Sequence, residues 1–420
     1  MAQLQKGVKA LIQKHPDDIV LLSALRTPIT RAYKGGLRDA YPEQMLAAVL
    51  RATLTKNLNL PPSAVQDVAV GTVLSELGGS KAARMALNHV GYPSSTSLYT
   101  VNRACASSLQ AITSIADSIA LKRIDIGIAA GMESMTRNYG SKAIPTQLWP
   151  KLPSSPVKDA RDCIMPMGLT SENVAERYSI SRTDQDTFAA SSHSKASHAQ
   201  KSGLFDNEIV PVSITNHTPD SSSPTNASTP SEKTLITTDD SIRPTTSVET
   251  LSYLPPAFKD PGGTTTAGNS SPISDGACAL LLSRRSTALS LNPQPQILGK
   301  WVGSTTVGVA PDEMGVGPAV AIPALLHQLG IRKEEVGVWE INEAFASQCL
   351  YCVRELGLEG ELEGGRVNPR GGAIALGHPL GATGGRLVGG LVNEMRRGEV
   401  GVVSLCVGTG MGMAGCVVRE

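Results

Sequence analysis

The chain has 420 residues, 41% of them hydrophobic and only 4% aromatic, so its core must be built from Ala, Val, Leu and Ile and is large enough for two or three domains of roughly 150 residues each. Its 38 Lys and Arg against 37 Asp and Glu leave a net charge of +1, which argues against a broad nucleic-acid-binding or anionic-membrane-binding surface. Seven scattered cysteines with no paired C-x-x-C metal pattern argue against a secreted disulfide framework, and the start lacks the apolar stretch of about 7–15 residues that a secretory leader needs.

Residues 1–17 form a basic amphipathic stretch in which Leu4, Val8, Leu11 and Ile12 share one helical face, beside Lys6, Lys9 and Lys14. It reads either as a frayed helix or as an address read by a receptor. From Ile19 the pattern becomes α/β. Ile19–Leu22 reads as a strand, Pro42–Leu54 as a helix, Val68–Val73 as a buried strand, Ala104–Leu121 as a long helix and Ile124–Gly131 as a second buried strand, an alternation that implies a mostly parallel sheet. Residues 138–265 are rich in turn formers, with helical patterns at Ser171–Glu176 and Arg182–Ser202. Within them Asn216–Lys233 is a Ser/Thr/Pro-rich run with almost no apolar residue, expected to be a flexible surface loop.

After Gln296 the α/β pattern returns and echoes the first part. The series Val68–Val73, Val101–Asn102, Cys105, Ile126–Gly131 is matched by Val336–Ile341, Val367–Asn368, His378, Val402–Val407. The intervals are 34 and 26 residues (Gly71 to Cys105 to Gly131) against 37 and 29 (Ile341 to His378 to Val407). Two related βαβα halves are expected. Their boundaries would fall at 18–137 with a return at 266–290 for the first half, 138–265 for an inserted loop domain, and 291–420 for the second half. Val400–Val418 is apolar but holds five glycines, and reads as two buried strands around a Gly-rich loop, not as a membrane span.

Four segments could carry chemistry. Cys105, in V-N-R-A-C-A-S-S-L-Q-A, stands where a turn meets a helix start, and helix amides there favour a thiolate; a fall of about 1.5 units from the usual pKa of about 8.5 would leave it half ionised at neutral pH. The other reading is a small buried hydrophobe. His378 lies in N-P-R-G-G-A-I-A-L-G-H-P-L-G-A-T-G-G, whose glycines let backbone approach a ligand or a neighbouring strand. Cys406 ends a strand and runs into alternating glycines, Gly408 among them, whose amides could converge on a developing negative charge. Asn342 and Glu343 sit where a strand leaves the sheet, the edge at which open α/β folds place ligands, although Asn342 also suits a plain helix cap. Phe345, Cys349 and Cys352 follow a core periodicity.

Together these segments resemble the thiolase family. The nucleophile segment, G-M-E-S-M-T at 131–136, N-E-A-F-A at 342–346, G-G-A-I-A-L-G-H-P-L-G-A-T-G at 371–384 and C-V-G-T-G-M-G at 406–412 match in order and spacing, over about residues 18–418. Within the family the chain looks most like the eukaryotic peroxisomal 3-ketoacyl-CoA thiolases, notably through R-D-C-I-M-P-M-G-L-T-S-E-N-V-A-E-R at 161–177.

The resemblance implies a five-layered α-β-α-β-α fold, two similar halves with a loop domain inserted in the first, and a homodimer. It implies an acyltransferase that cleaves 3-ketoacyl-CoA with CoA in fatty-acid β-oxidation, needing no metal or redox cofactor. The alternative functions are acetoacetyl-CoA synthesis from two acetyl-CoA and a lapsed acyl-CoA-binding scaffold. By the resemblance, Cys105 would accept the acyl group and His378 would activate it. Cys406 would be the acid/base, and Asn342 would position a water in one oxyanion hole. The amides of Cys105 and Gly408 would form the other. Arg243, Met167, Ser271 and Phe345 would line the CoA and substrate site.

Two departures stand out. Ser108 replaces a Gly three residues after the nucleophile; a displaced thiolate would follow if that Gly were needed for close packing, in which case Ser108→Gly would raise activity, whereas with room for the side chain Ser108 is harmless and the change has no effect. The peroxisomal address is degenerate, with Gln3 and Ala10 where a basic residue and His are usual, and the C-terminus is not of the S-K-L kind. Peroxisome is therefore the expected compartment on likeness alone, with the cytoplasm as the alternative.

Overall fold

The computed structural model describes residues 6–217 and 230–420. Its main sheet is built from nine principal strands: β1 (Ile19–Arg26), β2 (Asp67–Gly71), β3 (Ser97–Val101), β4 (Ile126–Ser134), β5 (Ser274–Arg284), β6 (Gly299–Gly308), β7 (Val338–Ile341), β8 (Val400–Val407) and β9 (Met411–Arg419). Their spatial order is β7-β8-β9-β6-β1-β5-β4-β2-β3. Among the described residues the longer helices are α1 (Pro42–Lys56), α2 (Ser80–Val90), α3 (Ser107–Ala120), α4 (Met167–Arg177), α5 (Arg182–Lys201), α6 (Gly317–Leu329), α7 (Ala346–Glu355) and α8 (Thr383–Glu394).

The order contains a repeat. The first half runs β3-β2-β4-β5-β1 and the second runs Val367-β7-β8-β9-β6, with Val367 forming a parallel bridge to Trp339 where a fifth strand would lie. The halves join where Ile19–Leu21 pairs with Gly299–Trp301. The expected mostly parallel sheet is corrected to a mixed one. Only β2–β3, β2–β4 and β7–β8 are parallel, because β5 returns beside β4 by way of the inserted region and β9 returns beside β8 through a short loop.

Helices α1 and α2 pack on the outer face of the first half-sheet, and α6 and α7 on that of the second, while α3 and α8 lie between the two half-sheets and touch each other. The result is five layers, α-β-α-β-α. Because α3 is covered on both sides it buries Leu109, Ala111, Ile112, Ile115, Ala116 and Ile119, and each large aliphatic contributes about 1.5–3 kcal/mol. The close helix pair needs glycine: a Cβ on Gly384 of α8 would stand 2.6 Å from the Leu109 amide nitrogen of α3. This packing offsets the roughly 1 kcal/mol that each helical glycine costs.

The inserted region holds α4, α5 and a hairpin, Val212–His217 with Pro230–Ile236. Most of the expected flexible loop (218–229) lies outside the described residues. Residues 216–217 and 230–233, assigned to that loop from composition, belong instead to the paired strands, since the backbone ladder overrides the polar side chains. Buried Arg26 of β1 fastens this region to the sheet by ion pairs to Glu208 Oε1 and Asp239 Oδ1, each at 2.7 Å.

Among the described residues of the N-terminal stretch, Val8–Leu11 is helical. Leu4 lies outside the described residues, Ile12 is exposed, and Leu11 is fully buried against the Leu329 and Trp339 cluster, with the Gly7 amide bonded to the Leu329 carbonyl. The C-x-x-C pair, Cys349 and Cys352, is fully buried in the same cluster, as core periodicity predicts. Among the described residues no helix is long and apolar enough to cross a membrane.

Candidate active site

Cys105 sits on a sharp turn that sequence chemistry shapes. Ala104 takes φ +42°, a left-handed conformation unusual for a residue with a Cβ. Side chains hold it there: Asn102 Oδ1 accepts the Ala104 amide, and Ser107 Oγ accepts the Arg103 amide while donating to the Ala104 carbonyl. Helix α3 begins two residues after Cys105, at Ser107, as the turn-to-helix pattern indicated.

A Cβ on Gly408 would stand 3.7 Å from that of Ala104, beside the Cys105 turn, and the Gly408 amide pulls the Cys105 pKa down; Cys105 in turn lies close enough to Cys406 for its charge to raise that thiol. Residues from the two halves therefore face each other. Cys406 is fully buried at the end of β8, in a cluster with Met314, Ala344 and Phe345, against which Met167 packs from the first turn of α4. Phe345 also meets Phe258 edge to face, with ring centroids 6.2 Å apart.

A helix start was expected to favour the Cys105 thiolate, and the structure corrects this. Burial pushes the thiol up to about 11; the Gly408 amide pulls down, and the nearby Glu133 carboxylate adds to the rise. An anion with no cation beside it, in a site shielded from water, loses more than two amides return. The Cys406 thiol is raised well above its ordinary value for the same reason, burial, with Cys105 adding to it.

His378 is buried and tied on both sides. Its Nδ1 lies 2.7 Å from Thr383 Oγ1, and that hydroxyl donates its one proton to the Pro379 carbonyl over 2.9 Å. Thr383 must then accept from Nδ1–H, which assigns the proton to Nδ1 and leaves Nε2 with its lone pair. Nε2 faces Asn342 Nδ2 at 3.5 Å. Burial, then the Arg386 charge, lowers the His378 pKa to about 3, so the imidazole is neutral at ordinary pH. Asn342 leaves β7 with its amide on the Ser404 carbonyl, and its buried Oδ1 has no protein partner.

Ser271 donates its amide to the Ala344 carbonyl, while Ser270 bridges to Phe345, so the 265–273 loop rests on the turn that carries Asn342. Glu172 of α4 accepts the amides of Thr264 and Thr265 and thereby fastens this loop to the helix headed by Met167. Arg243 stands outside these contacts. Its amide donates to His193 Nδ1 over 3.2 Å, and burial, then the Arg31 charge, lowers its pKa.

Ser108 is buried, and its Oγ accepts the Gly385 amide at 2.9 Å, so it is held and not squeezed. Sequence reasoning missed two residues here, Thr383 and Glu133. Thr383 stands five residues after His378 across a Pro-Leu-Gly turn, a separation that no helical or strand periodicity would pair. Glu133 lies in the G-M-E-S-M-T motif, but its partners are backbone amides, which leave no trace in sequence.

This arrangement of two thiols, an imidazole and an amide, contributed by both halves of a five-layered fold, is that of an acyl-transferring thiol enzyme. The Thiolase, N-terminal domain model matches residues 19–286 and the Thiolase, C-terminal domain model residues 295–419, and the chain belongs to the thiolase family. It is 48% identical to the peroxisomal 3-ketoacyl-CoA thiolase of Homo sapiens over 417 residues, 99% of this chain and 94% of that one. The crystal structure of the dimeric peroxisomal thiolase of Saccharomyces cerevisiae superposes with a TM-score of 0.87 at 41% identity, covering 98% of this chain and 100% of that chain. Human mitochondrial 3-ketoacyl-CoA thiolase in complex with CoA does so with a TM-score of 0.81 at 31% identity, covering 96% and 98%.

Proposed function

We infer that this chain is an acetyl-CoA C-acyltransferase that cleaves 3-ketoacyl-CoA with CoA, giving acetyl-CoA and an acyl-CoA two carbons shorter, as in β-oxidation. The observation that carries this reading is that the Cys105 turn of one half and the Cys406–Gly408 turn of the other meet, a Cβ on Gly408 standing 3.7 Å from that of Ala104 and Cys105 near enough to raise the Cys406 thiol.

His378 Nε2, the free lone pair, takes the Cys105 proton as sulfur attacks the 3-keto carbon. The resulting oxyanion is met by amides, those of Cys105 and Gly408 being the candidates. The Cα–Cβ bond then breaks. Its electron pair becomes the enolate of acetyl-CoA, and Cys406, placed against Cys105, supplies the proton to the α-carbon. Asn342 Nδ2 with His378 can hold the thioester oxygen of that enolate, and the unpartnered Asn342 Oδ1 suits a bridging water. CoA then gives its thiol proton to the Cys406 thiolate and its sulfur attacks the Cys105 thioester; the Cys105 thiolate leaves, takes back the proton held on His378, and the enzyme is restored. In this reading Met167, Ser271 and Phe345 line the acyl-pantetheine channel, and Arg243 meets the nucleotide.

A homodimer is proposed from the dimeric yeast neighbour, and a peroxisomal location from the relatives. The burial of Leu11 weighs against residues 3–11 serving as the address while the chain is folded. The deciding assay follows CoA-dependent loss of the magnesium-enolate absorbance of acetoacetyl-CoA and of 3-ketohexadecanoyl-CoA, with Cys105→Ala as control. Turnover of the long chain, abolished in the control, supports the reading. Turnover of acetoacetyl-CoA alone would favour the biosynthetic reading, and turnover of neither would overturn both.

A further inference from the structure

Glu133 is a buried carboxylate near the end of β4, fully shielded from solvent. Three backbone amides converge on it: Val73 at 3.0 Å and Gly381 at 2.9 Å on Oε2, and Leu74 at 3.1 Å on Oε1. Val73 and Leu74 belong to the turn after β2, in the first half. Gly381 belongs to the second half and stands three residues after His378. The contact is tight enough to require glycine: a Cβ on Gly381 would lie 2.7 Å from the Gly71 carbonyl oxygen and 2.8 Å from that of Met132. One on Gly131 would strike the Gly381 carbonyl oxygen at 2.2 Å. The turn that carries His378 is thus driven into the end of the other half-sheet and latched there by one carboxylate.

We propose that Glu133 is the positioning residue that holds the His378 turn in register with Cys105 across the two halves. The proposal rests on the reading of Cys105 and His378 given above. Three N–H groups on two oxygens suit the ionised carboxylate, because a carboxylic acid would turn a proton toward one of them; burial pushes the Glu133 pKa up to about 7 against the pull of these amides, so the group is ionised above neutral pH. The carboxylate also faces Cys105 closely enough that its charge opposes thiolate formation. Other ionisable groups lie nearby: Asp275 on β5 faces Glu133, and Cys406 and Tyr139 face Cys105. Asp275 is occupied by Ser134 and Thr136. Glu133 has two effects that separate, namely the placement of the turn and the charge beside the thiol.

The test pairs Glu133→Gln with Glu133→Asp in the full chain, made in a Cys163→Ser background to remove the exposed thiol. Kinetics are read with 3-ketoacyl-CoA, and the pH profile of iodoacetamide labelling of Cys105 is read by mass spectrometry. The amide in Glu133→Gln offers one acceptor oxygen and sets an NH2 against an N–H. A loss of at least about tenfold in kcat is expected, with KM within about twofold, as a shift of the turn by a fraction of an ångström would give. The labelling midpoint is expected to move down by at least about half a pH unit, since a like charge has gone. Glu133→Asp keeps the charge but not the reach, so kcat falls while the midpoint stays. Wild-type kcat and midpoint in a folded Glu133→Gln would overturn the proposal. If that variant does not fold, unchanged kcat in Glu133→Asp would overturn it equally. Retained turnover in Cys105→Ala would instead sink the nucleophile assignment, and this proposal with it.

Discussion

Ser108 Oγ accepts the amide of Gly385 at 2.9 Å, so the first turn of the helix that follows the nucleophile caps the first turn of the helix that follows His378. Helix α8 has no side-chain cap of its own, and Gly385 carries one of its unpaired N-terminal amides. The hydroxyl therefore satisfies a buried donor that a glycine at 108 would leave bare. A gain from Ser108→Gly was expected from family likeness. The packing predicts the reverse: a loss of about 1–3 kcal/mol from the unsatisfied amide and the added backbone freedom, with kcat no higher than wild type. Urea unfolding and steady-state kinetics of the one variant check both parts.

Thr383 fixes the tautomer of His378. Thr383→Val keeps the shape, removes the acceptor of Nδ1–H and leaves that proton free to move to Nε2. Losses of about 10- to 100-fold follow when the orienting partner of a functional histidine is removed. The expected outcome is a fall of that size in kcat with KM little changed, and partial recovery in Thr383→Ser, which restores the hydroxyl.

Much of this was legible from residue pattern. The βαβα repeat was visible because each half must place a buried strand, a glycine-rich approach and a functional turn at similar intervals, and β2, β4, β7 and β8 lie within a few residues of their expected places. Cys105 and His378 stood out as candidates because a turn before a helix start and a glycine-rich loop are local patterns, whereas their roles came from the family resemblance. What escaped was non-local or solvent-controlled. Strand direction depends on how connections return, which apolar content does not encode. The ionisation of Cys105 depends on burial and on Glu133, distant in sequence, so reading the helix end alone gave the wrong sign. Helix α8 holds Gly384, Gly385, Gly389 and Gly390 against propensity; close approach accounts for two of them, Gly384 against Leu109 of α3 and Gly385 against Cys278 of β5, while a Cβ at Gly390 would meet nothing within 4 Å.

Arg26 joins β1 to the inserted region through two fully desolvated carboxylates, Glu208 and Asp239, and stacks over Phe205 with 5.2 Å to the ring centroid. Arg26→Ala leaves the buried Asp239 without its cation and Glu208 with only Arg370 at 3.8 Å, and breaking a buried pair by removing one partner costs about 3–5 kcal/mol. Since α4 and the hairpin belong to the same inserted region, limited proteolysis is expected to cut between residues 138 and 265 in this variant at protease levels that leave the wild type whole.

The Cys105 thiol, raised to about 11 in the fold, predicts how its reactivity changes with pH. In Cys163→Ser protein, alkylation of Cys105 is expected to rise about tenfold per pH unit from 7 to 10, because only the thiolate reacts and its fraction stays small throughout. A plateau near pH 8 to 9 would show a thiol close to its ordinary value and would refute the dominance of burial. Stability carries the same sign. Between about pH 9 and 11 the unfolded chain has released the proton that the folded chain keeps, so this group's contribution is complete below 9 and lost as pH rises through 11. Cys105→Ser removes that titration, and its urea midpoint is expected to fall less steeply over this window than that of the parent protein.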